Sequence, residues 1–184
     1  KEIDLFSKEY KFGIEYNGLM WHSSGKASHN FPIIFPKNKH KEKSDRLIQK
    51  GYMLYHIFEN EWLDTAKKDI WISMINEKQN KNIIINGDDC SIKILNDIES
   101  YDFLEKYHLF GSCNSKINIS LYYNNDIIQL ISIENKCDLF EITRIANKNG
   151  YFIKNGLKIL INELEKRYSP NIIKYVADKR FTDP

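Results

Sequence analysis

A chain of 184 residues has room for one domain or two small ones, and for a core that needs no disulfide or metal staple. Hydrophobic residues at 42% and charged residues at 28% exclude wholesale disorder, and no apolar run approaches the roughly 18–20 residues that cross a bilayer. The net charge of +2 excludes a bulk polycation but leaves room for a local basic patch. Arginine occurs only at positions 46, 144, 167 and 180, and Val176 is the only valine, while Lys, Asn and Ile abound. That bias is what AT-rich codons produce, so it reports a genome rather than a chemistry. Three widely spaced cysteines, Cys90, Cys113 and Cys137, make neither a disulfide framework nor a zinc ribbon. They read as reduced thiols of a cytoplasmic protein without a secretory signal. A chain that opens on Lys1 and stops at Asp183-Pro184 reads as a fragment.

In chain order, Ile3–Phe6 and Phe12–Tyr16 are short alternating runs on either side of a polar turn, a hairpin signature. In the second run Phe12, Ile14 and Tyr16 share one face, and Gly13, Glu15 and Asn17 the other. Residues 23–39 read as a long irregular connection, of the kind that often carries function. A helix is expected over His40–Lys50, with Leu47 and Ile48 inward and Gly51 as its stop. Tyr52–Phe58 is mostly apolar, as in a central strand. An amphipathic helix over Glu61–Glu77 follows, with Trp62, Ile70 and Met74 in its stripe.

Residues 78–89 turn to Asn, Lys and Asp and mark an expected domain boundary. Charge changes there too: 14 basic residues against 11 acidic up to Asn82, then 13 against 14. Beyond it the pattern predicts a short helix near Tyr101–Tyr107, then strands over 117–123 and 126–133. Asn124-Asn125 between them fits a tight turn, because Asn tolerates positive φ. A strand over 139–145, a helix over 156–167 and a strand over 172–177 complete an α/β order in both halves.

The chemistry concentrates in Asp4 and in Gly13-Ile14-Glu15-Tyr16-Asn17-Gly18, followed by Trp21-His22. Two carboxylates on adjacent strands among Ile, Phe and Tyr are costly to bury unless a cation neutralises them. Hard oxygen ligands with room for water suit Mg²⁺, or Mn²⁺ in its place, and such an ion activates water and polarises phosphate. The alternative is an ordinary pair of solvated edge-strand carboxylates.

The pattern of Asp, ten residues, then Glu-x-Asn-Gly-x-x-Trp-His resembles the PD-(D/E)XK nuclease superfamily. It is followed by a basic helix and by Gly51-Tyr52-x-Leu54-x-x-Ile57-Phe58-Glu59-x-Glu61-Trp62, which extends the likeness. The nearest branch holds very-short-patch repair endonucleases and phage homing endonucleases, and the resemblance covers about residues 1–75. It implies a restriction-endonuclease-like mixed sheet flanked by helices over 1–80, with Asp4 and Glu15 as metal ligands. Asn17 stands where the superfamily has a catalytic lysine, and neutral Asn cannot supply positive charge. His22 after the aromatic is the implied proton carrier. His40 and Lys43, one turn apart, would share a face and steady the phosphate. Glu2 is a weaker candidate, and His56 reads as a satisfied core histidine.

Lys26, Lys37, Lys39, Lys41 and Arg46 form a basic stretch around that site, suited to sequence-independent contact with the phosphates of double-stranded DNA. The second half, over 90–184, resembles the small α+β, acetyltransferase-like domain that follows such nucleases in phage proteins. The likeness lies in Phe103–Gly111, Asn114-Ser115, Leu121–Asn125 and Tyr175–Arg180. Coenzyme binding at a helix start would need a Gly-rich turn, and Lys154-Asn155-Gly156 has one glycine. Target recognition or a structural role is therefore expected, rather than catalysis by a His108–Asp178 pair. The implied activity is a metal-dependent DNA endonuclease, with no membrane partner and an open oligomeric state. The alternatives are an inactive nuclease-fold DNA-binding module and an acyltransferase-like DNA-modification protein.

Overall fold

In the computed structural model, which describes residues 2–18, 39–136, 139–178 and 180, the chain divides into two compact units. The first is Lys1–Asp64 with Ala177–Pro184, and the second is Thr65–Val176. The division therefore falls after Asp64, not within 78–89, and the far end of the chain belongs with its beginning.

In the first unit β1 (Leu5–Ser7) runs antiparallel to β2 (Phe12–Asn17), and β2 runs parallel to β3 (Met53–Phe58). A parallel neighbour requires a crossover, and helix α1 (Lys39–Ile48) lies on that connection. It ends as the glycine leads one to expect. Gly51 has φ +77°, its amide donates to Ile48 O (2.8 Å), and Tyr52 N donates to Leu47 O (2.9 Å). These two hydrogen bonds satisfy carbonyls the last turn would leave open. Phe12, Tyr55 and Ile57 form a buried layer on one face of the sheet, while Leu54 and His56 are buried on the other. Helix α2 (Glu59–Leu63) follows directly, with Glu61 Oε2 accepting from Phe58 N (3.3 Å).

The single helix expected over 61–77 is divided. Asp64 is extended (φ −80°, ψ 118°), and α3 (Thr65–Lys78) starts after it in the second unit. Asp is a favoured residue in front of a helix, and its extended backbone here separates the two helices.

The second unit is built on a five-stranded sheet in the order β10-β8-β7-β6-β5. Its strands are β5 (Ser91–Ile94), β6 (Ile117–Tyr123), β7 (Asp126–Lys136), β8 (Leu139–Asn147) and β10 (Ile172–Tyr175). Asn124 (φ 51°) and Asn125 (φ 64°) make the β6–β7 turn, as expected. A separate parallel pair joins β4 (Ile83–Asn86) to β9 (Tyr151–Lys154). The polar stretch read as a domain boundary thus contains a paired strand, Ile83–Asn86, whose isoleucines outweigh the Asn and Lys around them.

Helices cover both sheet faces. Leu160 and Leu164 of α5 (Gly156–Tyr168) pack with Ile119, Leu121, Ile131 and Ile133, while Phe103 and Leu104 of α4 (Asp97–Tyr107) pack with Leu130 and Ala146. On the α4 side the sheet also buries polar residues that satisfy one another. Asn118 Oδ1 accepts from Ser115 Oγ (2.9 Å) and Ser132 Oγ (2.6 Å). Among the described residues no helix is long and apolar enough to cross a membrane.

Candidate functional site

Register sets the geometry of the site. Leu5 opposes Ile14, so one step beyond the ladder Asp4 stands across from Glu15. Asp4 Oδ2 accepts from Tyr16 N (2.9 Å), which anchors its carboxylate beside the strand that carries Glu15. Close approach here depends on Gly13, where a Cβ would lie 3.1 Å from Ile3 Cγ2 and 3.2 Å from Leu5 O. On the other side of β2, Glu15 pairs in register with His56 of β3, and directly paired residues share a face.

Helix α1 lies over that face. His40, Lys43, Ser44, Leu47 and Ile48 are the half-buried or buried positions, at the i, i+3, i+4, i+7, i+8 spacing of an inward stripe. Its N-terminal half is polar, and each polar member has a partner on the sheet. Lys43 Nζ donates to Glu15 Oε1 and also to Glu2 O. Ser44 Oγ and His56 Nε2 are 2.9 Å apart, and the His40 ring meets the His56 ring edge-on at 5.0 Å. The side chains of Lys43 and Glu15 are 19% and 13% exposed, so this is a largely buried ion pair rather than a solvated one.

Asn17 is fully buried, and its Nδ2 donates to Glu15 O (3.4 Å). Among the described residues its Oδ1 has no hydrogen-bond partner. Glu2 contributes its backbone carbonyl to Lys43. His56 is buried and bonded, as its apolar strand suggests.

His22, Lys26 and Lys37 lie outside the described residues. Lys39 opens α1, and Lys41 and Arg46 are exposed on its outer face together with Glu42 and Asp45. That face therefore carries both signs of charge rather than a purely basic stripe.

Asp4 and Glu15 are two carboxylates, and no group of three or more His, Cys, Asp or Glu side chains is placed to hold a metal ion among the described residues. The donor chemistry still fits Mg²⁺, which takes one or two protein carboxylates and completes its shell with water and phosphate. Burial of Glu15 beside Asp4 also creates a demand for positive charge, which Lys43 meets here.

A second charged cluster was not legible from local pattern. Arg180 Nη1 donates to Glu61 Oε1 (2.7 Å) and Nε donates to Asp178 Oδ2 (3.0 Å). Its guanidinium lies 5.4 Å from the centre of the Phe58 ring, and its carbonyl accepts from His56 N (3.4 Å). Phe58 is in register with Asn17, so the cluster buttresses the end of β3 beside the site. Asp178 is thereby engaged by Arg180. His108 belongs to the second unit, where its Nδ1 accepts from Phe110 N (3.1 Å). Burial, reinforced by Arg144, lowers the His108 pKa to about 4.

No family model, curated protein or solved structure matches the chain.

Proposed function

We propose that the first unit is a metal-dependent DNA endonuclease of the phage homing or mobile-element type, acting on double-stranded DNA in the cytoplasm. The observation that carries this reading is the pairing of Lys43 with the largely buried Glu15 side chain, on the strand position across from Asp4. It places two carboxylates and a cation in one neighbourhood, charges that metal-assisted phosphodiester hydrolysis uses. Asp4 and Glu15 would hold Mg²⁺ or Mn²⁺. When bound, that ion supplies a water of lowered pKa and polarises a phosphate oxygen.

The chain's own residues do the rest. Lys43 exchanges a hydrogen bond to Glu15 for one to a phosphate oxygen, adding positive charge where the transition state gathers negative charge. His40, next to it on the stripe, is placed to assist at the same phosphate, and His22 is the assigned proton carrier. Lys26, Lys37, Lys39, Lys41 and Arg46 would contact the DNA backbone.

Plasmid nicking with Mg²⁺ and with EDTA tests the reading. Asp4→Ala and Glu15→Ala should each lose nicking by about a thousandfold or more while retaining most DNA binding. Full nicking by Asp4→Ala would end it. A second reading, a nuclease-fold module that binds DNA without cutting, is favoured by Asn17, a buried neutral residue in the position of the lysine. EDTA-insensitive DNA binding with no nicking in either metal would select it.

A further inference from the structure

We infer that Ser44 and His56 are positioning residues for Lys43, an assignment whose catalytic meaning rests on the endonuclease reading above. Glu15 and His56 are register partners on adjacent strands, and Lys43 and Ser44 are consecutive on α1. Two rungs therefore join one turn of the helix to two neighbouring strands: Lys43 to Glu15 on β2, and Ser44 to His56 on β3.

The two rungs differ in stiffness. Lysine reaches its partner through four rotatable bonds, so the ionic rung alone tolerates a helix displaced by an ångström or more. A serine hydroxyl oxygen is placed by a single rotatable bond from the backbone. Its 2.9 Å contact with a buried imidazole therefore fixes the height and rotation of the helix over the sheet. His40 closes on the same imidazole from the preceding turn, so α1 holds the ring at two points.

Packing alone does not require this arrangement. Ser44 is 7% exposed and His56 3%, and the neighbouring strand residues Leu54, Tyr55 and Ile57 are apolar. An apolar pair would fill the space at less desolvation cost. What it would lack is a directional bond that sets where Lys43 begins.

The test is a set of double-mutant cycles on the full chain, read by urea unfolding. Coupling between Lys43→Met and Glu15→Gln is measured in the wild type and again in Ser44→Ala, His56→Leu and Ser44→Thr backgrounds. In the wild type the coupling should change the unfolding equilibrium by about tenfold. It should fall below about twofold in Ser44→Ala and His56→Leu, and return in Ser44→Thr, which restores the hydroxyl. Should Ser44→Ala prove too unstable, the His56→Leu background decides the matter.

A coupling that survives loss of the hydroxyl would overturn the assignment, because a merely structural Ser44–His56 bond lowers stability without touching the other rung. In nicking assays Ser44→Ala should lower kcat by about tenfold or more with KM for DNA unchanged, and Ser44→Thr should recover it. A raised KM with unchanged kcat would also overturn it. If the coupling collapses as expected but the wild type cuts no DNA, the endonuclease reading falls and the positioning of Lys43 stands.

Discussion

Arg180 is separated from Glu61 by 119 positions, and replacing it with Ala should loosen the first unit although it sits near the far end of the chain. The side chains of Glu61 and Arg180 are 9% and 19% exposed, so the change strands a nearly buried carboxylate. Removing one member of a buried pair costs about 3–5 kcal/mol. Glu61 keeps the bond from Phe58 N, which places the loss near the lower end, and the lost cation–π contact with Phe58 adds roughly 0.5–1 kcal/mol. Together about 3.5–4 kcal/mol, this is roughly 300- to 700-fold in an opening equilibrium. Hydrogen-exchange mass spectrometry on peptides covering β3 and α2 reads that opening directly. Exchange should accelerate by about that factor in Arg180→Ala, and less in the apolar double replacement Arg180→Met with Glu61→Leu, which removes the nearly buried Glu61 charge and leaves only the more exposed Asp178 without Arg180. Acceleration under about fivefold in the single variant would refute the account, because the pair would then be no more than a surface ion pair.

Gly156→Ala should destabilise the second unit by about 1–3 kcal/mol, because its Cβ would lie 2.2 Å from Gln129 Oε1 and 2.5 Å from Ile153 Cγ2. Thermal melting checks it, and an unchanged midpoint would show that the start of α5 has slack. Stability should also fall with acid through His108. Its folded pKa, about 4, lies below the ordinary 6.5, so the unfolded chain binds the extra proton first. The contribution is complete above about pH 6.5 and is lost as pH falls toward 4, up to about 3 kcal/mol in all. Urea unfolding between pH 4 and 7 should show this slope, and His108→Gln should flatten it.

Much of the fold was legible because its signals are local. Strands over 117–123 and 126–133, the Asn124-Asn125 turn, the helix after Asn155 and the stop at Gly51 each follow from alternation or from residues that tolerate positive φ. Three strands escaped for a common reason. Ile83–Asn86, Ser91–Ile94 and Tyr151–Lys154 are short runs set among Asn, Lys, Asp and Gly residues that read as loop, and β4 finds its partner 68 positions downstream. The division after Asp64 was hidden likewise, since the apolar residues on either side of it read as one helix while Asp64 itself is extended.

The site was legible where residue types demanded a partner. A carboxylate pair called for a divalent cation; in the structure Asp4 is exposed, and the largely buried Glu15 side chain meets Lys43, one turn after His40 on α1. Ser44 went unnoticed although the same spacing includes it, because serine in a charged helix reads as solvated. The full stripe of His40, Lys43, Ser44, Leu47 and Ile48 carried the information: an inward face whose first half is polar must pack on a polar surface. The Arg180 cluster had no such signal, because only chain topology brings its members together.

Asn17 makes the dependence on α1 sharper. The position is fully buried on the strand that carries Glu15, and it holds a neutral side chain. A lysine there would have had its cation fixed by the sheet itself, at the same height as the carboxylates. Here the charge that meets Glu15 comes instead from a helix on the crossover between β2 and β3, so it can move relative to the sheet whenever that helix moves. The site therefore needs something that β2 alone cannot provide, a constraint on the helix. The bond from Ser44 to the strand beside Glu15 meets that need, and the Arg180 cluster braces the same strand through the His56 amide. In the proposed reaction, a neutral Asn17 on the strand leaves the burden of alignment to the packing of α1 on β3.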